Sequence, residues 1–126
     1  KNTIKNKILV SKIENLHGLN NVSNIAINSD LIMIDRGDLL AEVGIGNLYN
    51  AICDISKQAV FNKKPLIMAT ENLESMQKRL QPSKSEIIAL EHSINLGTDF
   101  IMLSDETATS PLFMNTLEWL YNFLQE

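Results

Sequence analysis

A single cysteine, Cys53, excludes a disulfide within the chain and fits a reducing compartment. No apolar stretch approaches the roughly 20 residues that a bilayer-spanning helix needs, and no signal-peptide pattern opens the sequence. A basic run is lacking, as is any basic-aromatic patch, and the formal net charge is −4, so nothing here recruits a nucleic acid. No linker, low-complexity stretch or domain boundary interrupts the chain. What is present is 126 residues, 44% hydrophobic and 21% charged, the balance of one globular domain with a sizeable core. The first residue is Lys1 rather than methionine, which suggests an excised piece of a longer protein. A cytoplasmic location is the expectation; an organellar one stays open, because targeting would lie upstream of Lys1.

Four short apolar runs recur: Ile8-Leu9-Val10, Leu31-Ile32-Met33-Ile34, Leu66-Ile67-Met68-Ala69 and Phe100-Ile101-Met102-Leu103. Each is continuous rather than alternating, the pattern of a strand covered on both faces. Helical spacing lies between them. Leu48, Ala51, Ile52, Ile55 and Ala59 share one face of a helix expected from Asn47 to Asn62, with Cys53 packed in it. Ile87, Leu90 and Ile94 share another, behind Pro82 and the capping-box pattern Ser83-Lys84-Ser85-Glu86. Gly97 stands where that helix should stop. A last helix should open at Ser110-Pro111 and bury Phe113, Leu117, Leu120, Tyr121 and Leu124. From Leu16 to Ile27 the pattern is weaker: Leu19, Val22 and Ala26 fit a helix, but asparagines crowd the segment.

Strand and helix thus alternate four times, which predicts a parallel α/β sheet with right-handed crossovers. A complete (β/α)8 barrel takes roughly 250 residues. Four units in 126 residues therefore amount to a parallel (βα)4 half of a TIM-type barrel, as a single segment over residues 1–126.

Sites in such folds gather at the carboxyl ends of the strands. The residues following the apolar runs are Ser11-Lys12-Ile13-Glu14, Asp35-Arg36-Gly37-Asp38, Thr70-Glu71 and Ser104-Asp105-Glu106-Thr107. In the second of these, Gly37 permits a sharp turn close to a ligand, and Asp38 can aim a carboxylate over the strand ends. Lys12 and Glu14, two residues apart, point to the same side of a strand. Glu14 and Asp38 can each offer one oxygen to a hard divalent cation, which commonly keeps several waters. Lys12 beside that cation is a point charge for a phosphoryl group or an enolate oxygen. Plainer readings stay open: a polar turn after a core strand, a Lys12–Glu14 pair that only neutralises itself, and Thr70 as a satisfied turn hydroxyl. His17 and His92 stand in no cluster and read as solvated or structural.

These stretches resemble pyruvate kinase. Ser11-Lys12-Ile13-Glu14-Asn15 matches that family's Ser-Lys-Ile-Glu-Asn strand, and Ile32-Met33-Ile34-Asp35-Arg36-Gly37-Asp38-Leu39 resembles Ile-Met-Val-Ala-Arg-Gly-Asp-Leu. Ala69-Thr70, followed by Leu73-Glu74-Ser75-Met76, resembles Ala-Thr-Gln-Met-Leu-Glu-Ser-Met. Ile101-Met102-Leu103-Ser104 with Glu106-Thr107-Ala108 matches Ile-Met-Leu-Ser-Gly-Glu-Thr-Ala. The motifs run in family order over nearly the whole chain and correspond to barrel strands five through eight. The resemblance implies transfer of phosphate from phosphoenolpyruvate to ADP, giving pyruvate and ATP, with Mg2+ or Mn2+ and usually K+. It implies Glu14 and Asp38 as metal ligands and Lys12 as the cation that supports phosphoryl transfer and the enolate. The Gly37 and Asp38 amides with the Thr70 hydroxyl would bind the substrate carboxylate, and Thr70 would lie on the side from which the enolate is protonated. The K+ ligands, the nucleotide-binding residues and a phosphate-binding arginine would lie in the other half-barrel.

Departures accompany the matches. The family's Gln-Met is Glu71-Asn72, which adds a negative charge near an anion site. Arg-Pro-Thr-Arg-Ala-Glu is Gln81-Pro82-Ser83-Lys84-Ser85-Glu86, and Asp-Val-Ala-Asn is Ala89-Leu90-Glu91-His92. A glycine is Asp105, expected to crowd its turn or add repulsion. Two alternatives follow: a degenerate, non-catalytic relative with a structural or regulatory role, and a metal-dependent pyruvate-handling aldolase. A free half-barrel leaves strand edges unpaired, so self-association or pairing with the other half is expected, and no membrane partner.

Overall fold

The computed structural model describes residues 6–126. Its sheet has four strands, β1 (Val10–Ile13), β2 (Leu31–Asp35), β3 (Leu66–Ala69) and β4 (Phe100–Ile101), ordered as in the chain and parallel throughout. Helices α1 (Leu16–Asn20) and α2 (Val22–Ile27) follow β1, and α3 (Arg36–Val43) and α4 (Ile45–Phe61) follow β2. After β3 come a 3-10 turn at Glu74–Gln77 and α5 (Lys84–Asn95). After β4 come α6 (Asp105–Ala108) and α7 (Phe113–Leu124). The architecture is the parallel α/β repeat of a TIM-type fold, as the alternation predicts.

One face of the sheet carries the core. Ile13, Ile32, Ile34, Leu66 and Met68 pack against Val22 and Ala26 of α2, Leu39 of α3, and Ala51, Ile55 and Ala59 of α4. A second cluster joins Leu73 and Met76 to Leu90 of α5 and Leu120 of α7. Strand alternation puts Val10, Lys12, Met33, Asp35, Ile67, Ala69 and Phe100 on the other face, and neither cluster draws on it. On that face Phe100 is 51% exposed. The continuous apolar runs predict cover on both faces; within the described residues the helices supply one.

Several boundaries differ from expectation, each for a local reason. β1 begins at Val10, so Lys12 lies inside the strand and Ile8 is exposed. The weak Leu16–Ile27 segment is two short helices broken at Asn21. Its asparagine side chains bond nearby backbone: Asn15 accepts from the Gly18 amide at 2.8 Å, and Asn21 donates to the His17 carbonyl at 2.8 Å. α4 starts at Ile45, behind Gly44 at φ +81°, two residues earlier than Asn47. The Ser83–Glu86 capping box forms with both bonds, and Gly97, at φ +96°, follows the end of α5. α7 opens at Phe113, so Pro111 lies in the preceding turn. Thr116 and Leu120 are its buried residues, with Trp119 and Phe123 packed beside them, while Leu117, Tyr121 and Leu124 are exposed. Threonine hides its hydroxyl here by donating to the Leu112 carbonyl at 3.2 Å, and that lets a polar residue lead the inward stripe. Asp105 falls, exposed, in the first turn of α6.

Candidate active site

Parallel pairing of β1 with β2 sets Lys12 opposite Met33. Asp35, two residues further along, therefore emerges on the same face as Lys12. The Lys12 ammonium lies 3.1 Å from Glu14 Oε2 and 3.3 Å from Asp35 Oδ2. Hydrogen bonding to Glu14, then to Asp35, holds it above the usual lysine range and protonated. Asp35 also accepts from the Asp38 amide at 3.1 Å, which caps the start of α3. Burial pushes the Asp35 carboxyl up, but the Asp38 amide and Lys12 together outweigh it, so Asp35 titrates below the usual range. Asp38 is exposed on the first turn of α3, and the charge of Asp35, with that of Glu14, holds its carboxyl above the usual range.

The other edge of the site is the end of β3. Thr70 has a left-handed backbone, φ +62°. Its hydroxyl donates to the Ala69 carbonyl at 2.7 Å and accepts from the Gly37 amide at 2.9 Å. Gly37 lies within the first turn of α3, not in a sharp turn of its own. Arg36 turns away from the carboxylates: its guanidinium donates to the Thr70 carbonyl and, at 2.7 Å, to Asn72 Oδ1. Burial lowers its pKa, opposed by Glu71 and Glu74, so the extra charge at Glu71 acts on this arginine. Asn72, itself buried, donates to the carbonyls of Met68 at 3.0 Å and Met102 at 2.8 Å, joining the ends of β3 and β4.

The structure thus brings Lys12, Glu14, Asp38, Gly37 and Thr70 to one rim. It adds Asp35, which the motif reading passes over. The signal was in the paired segments, where Asp35 stands against the family's alanine. A groove of about 410 Å³ lined by Leu16, Leu19, Glu42 and Asp54 lies elsewhere and contains none of these side chains.

The donor set suits a hard divalent cation. Glu14, Asp35 and Asp38 each offer an oxygen within 4.8 Å of the others. Glu14 Oε2 is closed off from solvent and lies against the Lys12 ammonium at 3.1 Å. The raised pKa of Asp38 records carboxylate repulsion that a cation with oxygen ligands relieves.

A parallel α/β sheet with polar and charged side chains gathered at its carboxyl rim is the arrangement in which barrel folds place their sites. The sequence comparisons narrow that class. Residues 1–116 match the family model for the pyruvate kinase barrel domain. Pyruvate kinase of Encephalitozoon cuniculi is 37% identical over 112 residues, 89% of this chain and 26% of the relative. The cytosolic isozyme of Nicotiana tabacum is 39% identical over 104 residues, 82% of this chain and 20% of the relative. Pyruvate kinase 1 of Trypanosoma brucei brucei is 40% identical over 105 residues, 82% and 21% of the two chains. The chain belongs to the pyruvate kinase family, and it spans a fifth to a quarter of the length of these curated relatives.

Proposed function

We propose that this chain is the C-terminal half, strands five through eight, of a pyruvate kinase barrel. In the complete protein it would serve Mg2+-dependent phosphoryl transfer from phosphoenolpyruvate to ADP. The observation that carries the reading is the meeting of Lys12, Glu14 and Asp38 at one rim, with Glu14 Oε2 closed off from solvent against the Lys12 ammonium. Glu14 and Asp38 would hold Mg2+ or Mn2+, which when bound neutralises the substrate's charge and polarises its oxygens. Lys12, kept protonated by its acidic neighbours, offsets charge on the transferring phosphoryl group and on the enolate oxygen left behind. The amides of Gly37 and Asp38 and the Thr70 hydroxyl are the donors for the substrate carboxylate, at the start of a helix whose dipole favours an anion. The phosphoryl group leaves the enol oxygen for a terminal oxygen of ADP. The enolate then takes a proton at carbon from the side on which Thr70 stands, giving pyruvate. K+ ligands, the nucleotide-binding residues and a phosphate-binding arginine are expected from the other half-barrel, and the cytosolic relative supports a cytoplasmic setting.

One observation favours the degenerate, non-catalytic reading as an alternative: Asp35 occupies Lys12 and the Asp38 amide. Assays on the complete protein separate the possibilities. Pyruvate released from phosphoenolpyruvate only with both ADP and Mg2+ supports the kinase. Pyruvate released by carbon–carbon cleavage of a 4-hydroxy-2-oxo acid, with none formed from phosphoenolpyruvate and ADP, assigns the aldolase, and absence of Mg2+-dependent phosphoenolpyruvate binding assigns the degenerate relative. Residues 1–126 alone are expected to turn over nothing and to associate through the uncovered sheet face and edges. A monomer by light scattering that made pyruvate and ATP would overturn both statements.

A further inference from the structure

We propose that Asp35 is an internal occupant of the anion subsite. Its two carboxylate oxygens take the Asp38 amide, one of the donors for the substrate carboxylate, and the Lys12 ammonium that would meet the phosphoryl group, so the site holds a divalent cation yet admits phosphoenolpyruvate weakly. This deepens the reading above and rests on it.

The geometry is that of a bound carboxylate. Oδ1 accepts from the Asp38 amide at 3.1 Å, and Oδ2 lies 3.3 Å from the Lys12 ammonium. An amide at a helix start and a lysine are the groups that would bring in an anionic substrate. Both are already engaged by this chain. The Asp35 side chain is 10% exposed, and its backbone is the last residue of β2, paired with Ala69. The carboxylate is therefore enclosed and held at both oxygens. The neighbouring Gly37 amide is likewise taken, by the Thr70 hydroxyl at 2.9 Å, but a hydroxyl is neutral and can rotate to donate to an incoming oxygen.

Charge points the same way. Three carboxylates cluster together, two of them on one ammonium, a surplus of negative charge that a divalent cation compensates and an added anion worsens. The family segment quoted above has alanine at this position, which carries no acceptor and leaves both donors open. Asp35 thus sets specificity: it trades anion affinity for cation affinity within one site.

The test uses the complete protein and its Asp35→Ala and Asp35→Asn variants. Mn2+ binding is followed by electron paramagnetic resonance, and phosphoenolpyruvate binding at saturating Mn2+ by calorimetry. Asparagine keeps an acceptor for the helix cap while removing the charge, so it decides the matter if the alanine variant does not fold. The expected result is phosphoenolpyruvate affinity raised about tenfold or more in the variants, in line with freeing hydrogen bonds to a charged group, with Mn2+ affinity lowered. A residue that merely supports the fold cannot yield that gain. Mn2+ binding retained with phosphoenolpyruvate affinity unchanged or lower overturns the role of Asp35 and leaves the metal site standing. Failure of the unsubstituted protein to bind Mn2+ overturns the reading of the site itself, and this inference with it.

Discussion

Replacing Asn72 with alanine should destabilise the protein by about 2–4 kcal/mol. The residue is 5% exposed, and three bonds depend on its side chain: those to the Met68 and Met102 carbonyls and the one accepted from Arg36. A neutral buried hydrogen bond is worth about 1 kcal/mol net and one to a charged group about 1.5–3 kcal/mol. The losses are not all complete. Met68 O still accepts from the Met102 amide at 3.1 Å, and Arg36 still reaches the Thr70 and Ala69 carbonyls. The carbonyl of Met102 and one guanidinium N–H lose the Asn72 partner, which puts the sum in the middle of the individual values. Asn72→Met, which restores the family's residue, replaces volume but no bond and should cost about 2 kcal/mol. Urea unfolding of the variants measures this, with a lower midpoint and an unchanged slope. A loss below about 0.5 kcal/mol for both variants, the range of ordinary surface substitutions, would refute the claim that this amide ties the strand ends under Thr70.

Other perturbations follow from single features. Glu86 accepts from the amides of Ser75 and Ser83 and from the Ser75 hydroxyl, and these bonds outweigh its burial and lower its pKa below 4.5. Its contribution is present above the unfolded-state pKa and lost as pH falls through the lower folded one. The stability gap between the protein and Glu86→Gln should therefore be full at neutral pH and close on acidification below 4.5; a gap constant with pH contradicts this. Gly97→Ala meets both a left-handed backbone and a contact of 3.0 Å with Val60 Cγ2, so thermal unfolding should record a loss of about 1–2 kcal/mol. Lys12→Met should lower the kcat of the complete protein by about a hundredfold to a thousandfold while Mn2+ still binds; retained turnover removes Lys12 from the chemistry.

The fold was legible because its signals are local and repeated. Three apolar runs land in strands β2, β3 and β4, and the Ser83–Glu86 box forms as written. Where side chains bond their own backbone, the pattern misled. Asn21 splits one expected helix into two, and Thr116 leads an inward face that hydrophobic spacing gave to Leu117. At the site, Lys12, Glu14, Asp38 and Thr70 could be named because their spacing and motifs place them at strand ends. Asp35 could not, since its role depends on three partners meeting across two strands and a helix start: Lys12, the Asp38 amide and the shared carboxylate cluster. The path of Arg36 away from the site depends on Asn72, 36 residues further along the chain, for the same reason.

The central claim is that Glu14 and Asp38 hold one cation beside Lys12. A manganese anomalous difference map from crystals of the protein tests it most directly. The account predicts a single strong peak about 2.0–2.3 Å from an oxygen of each carboxylate, on the Lys12 side of the sheet. A map with no peak there at saturating manganese, or with the ion bound only at other acids, would contradict it.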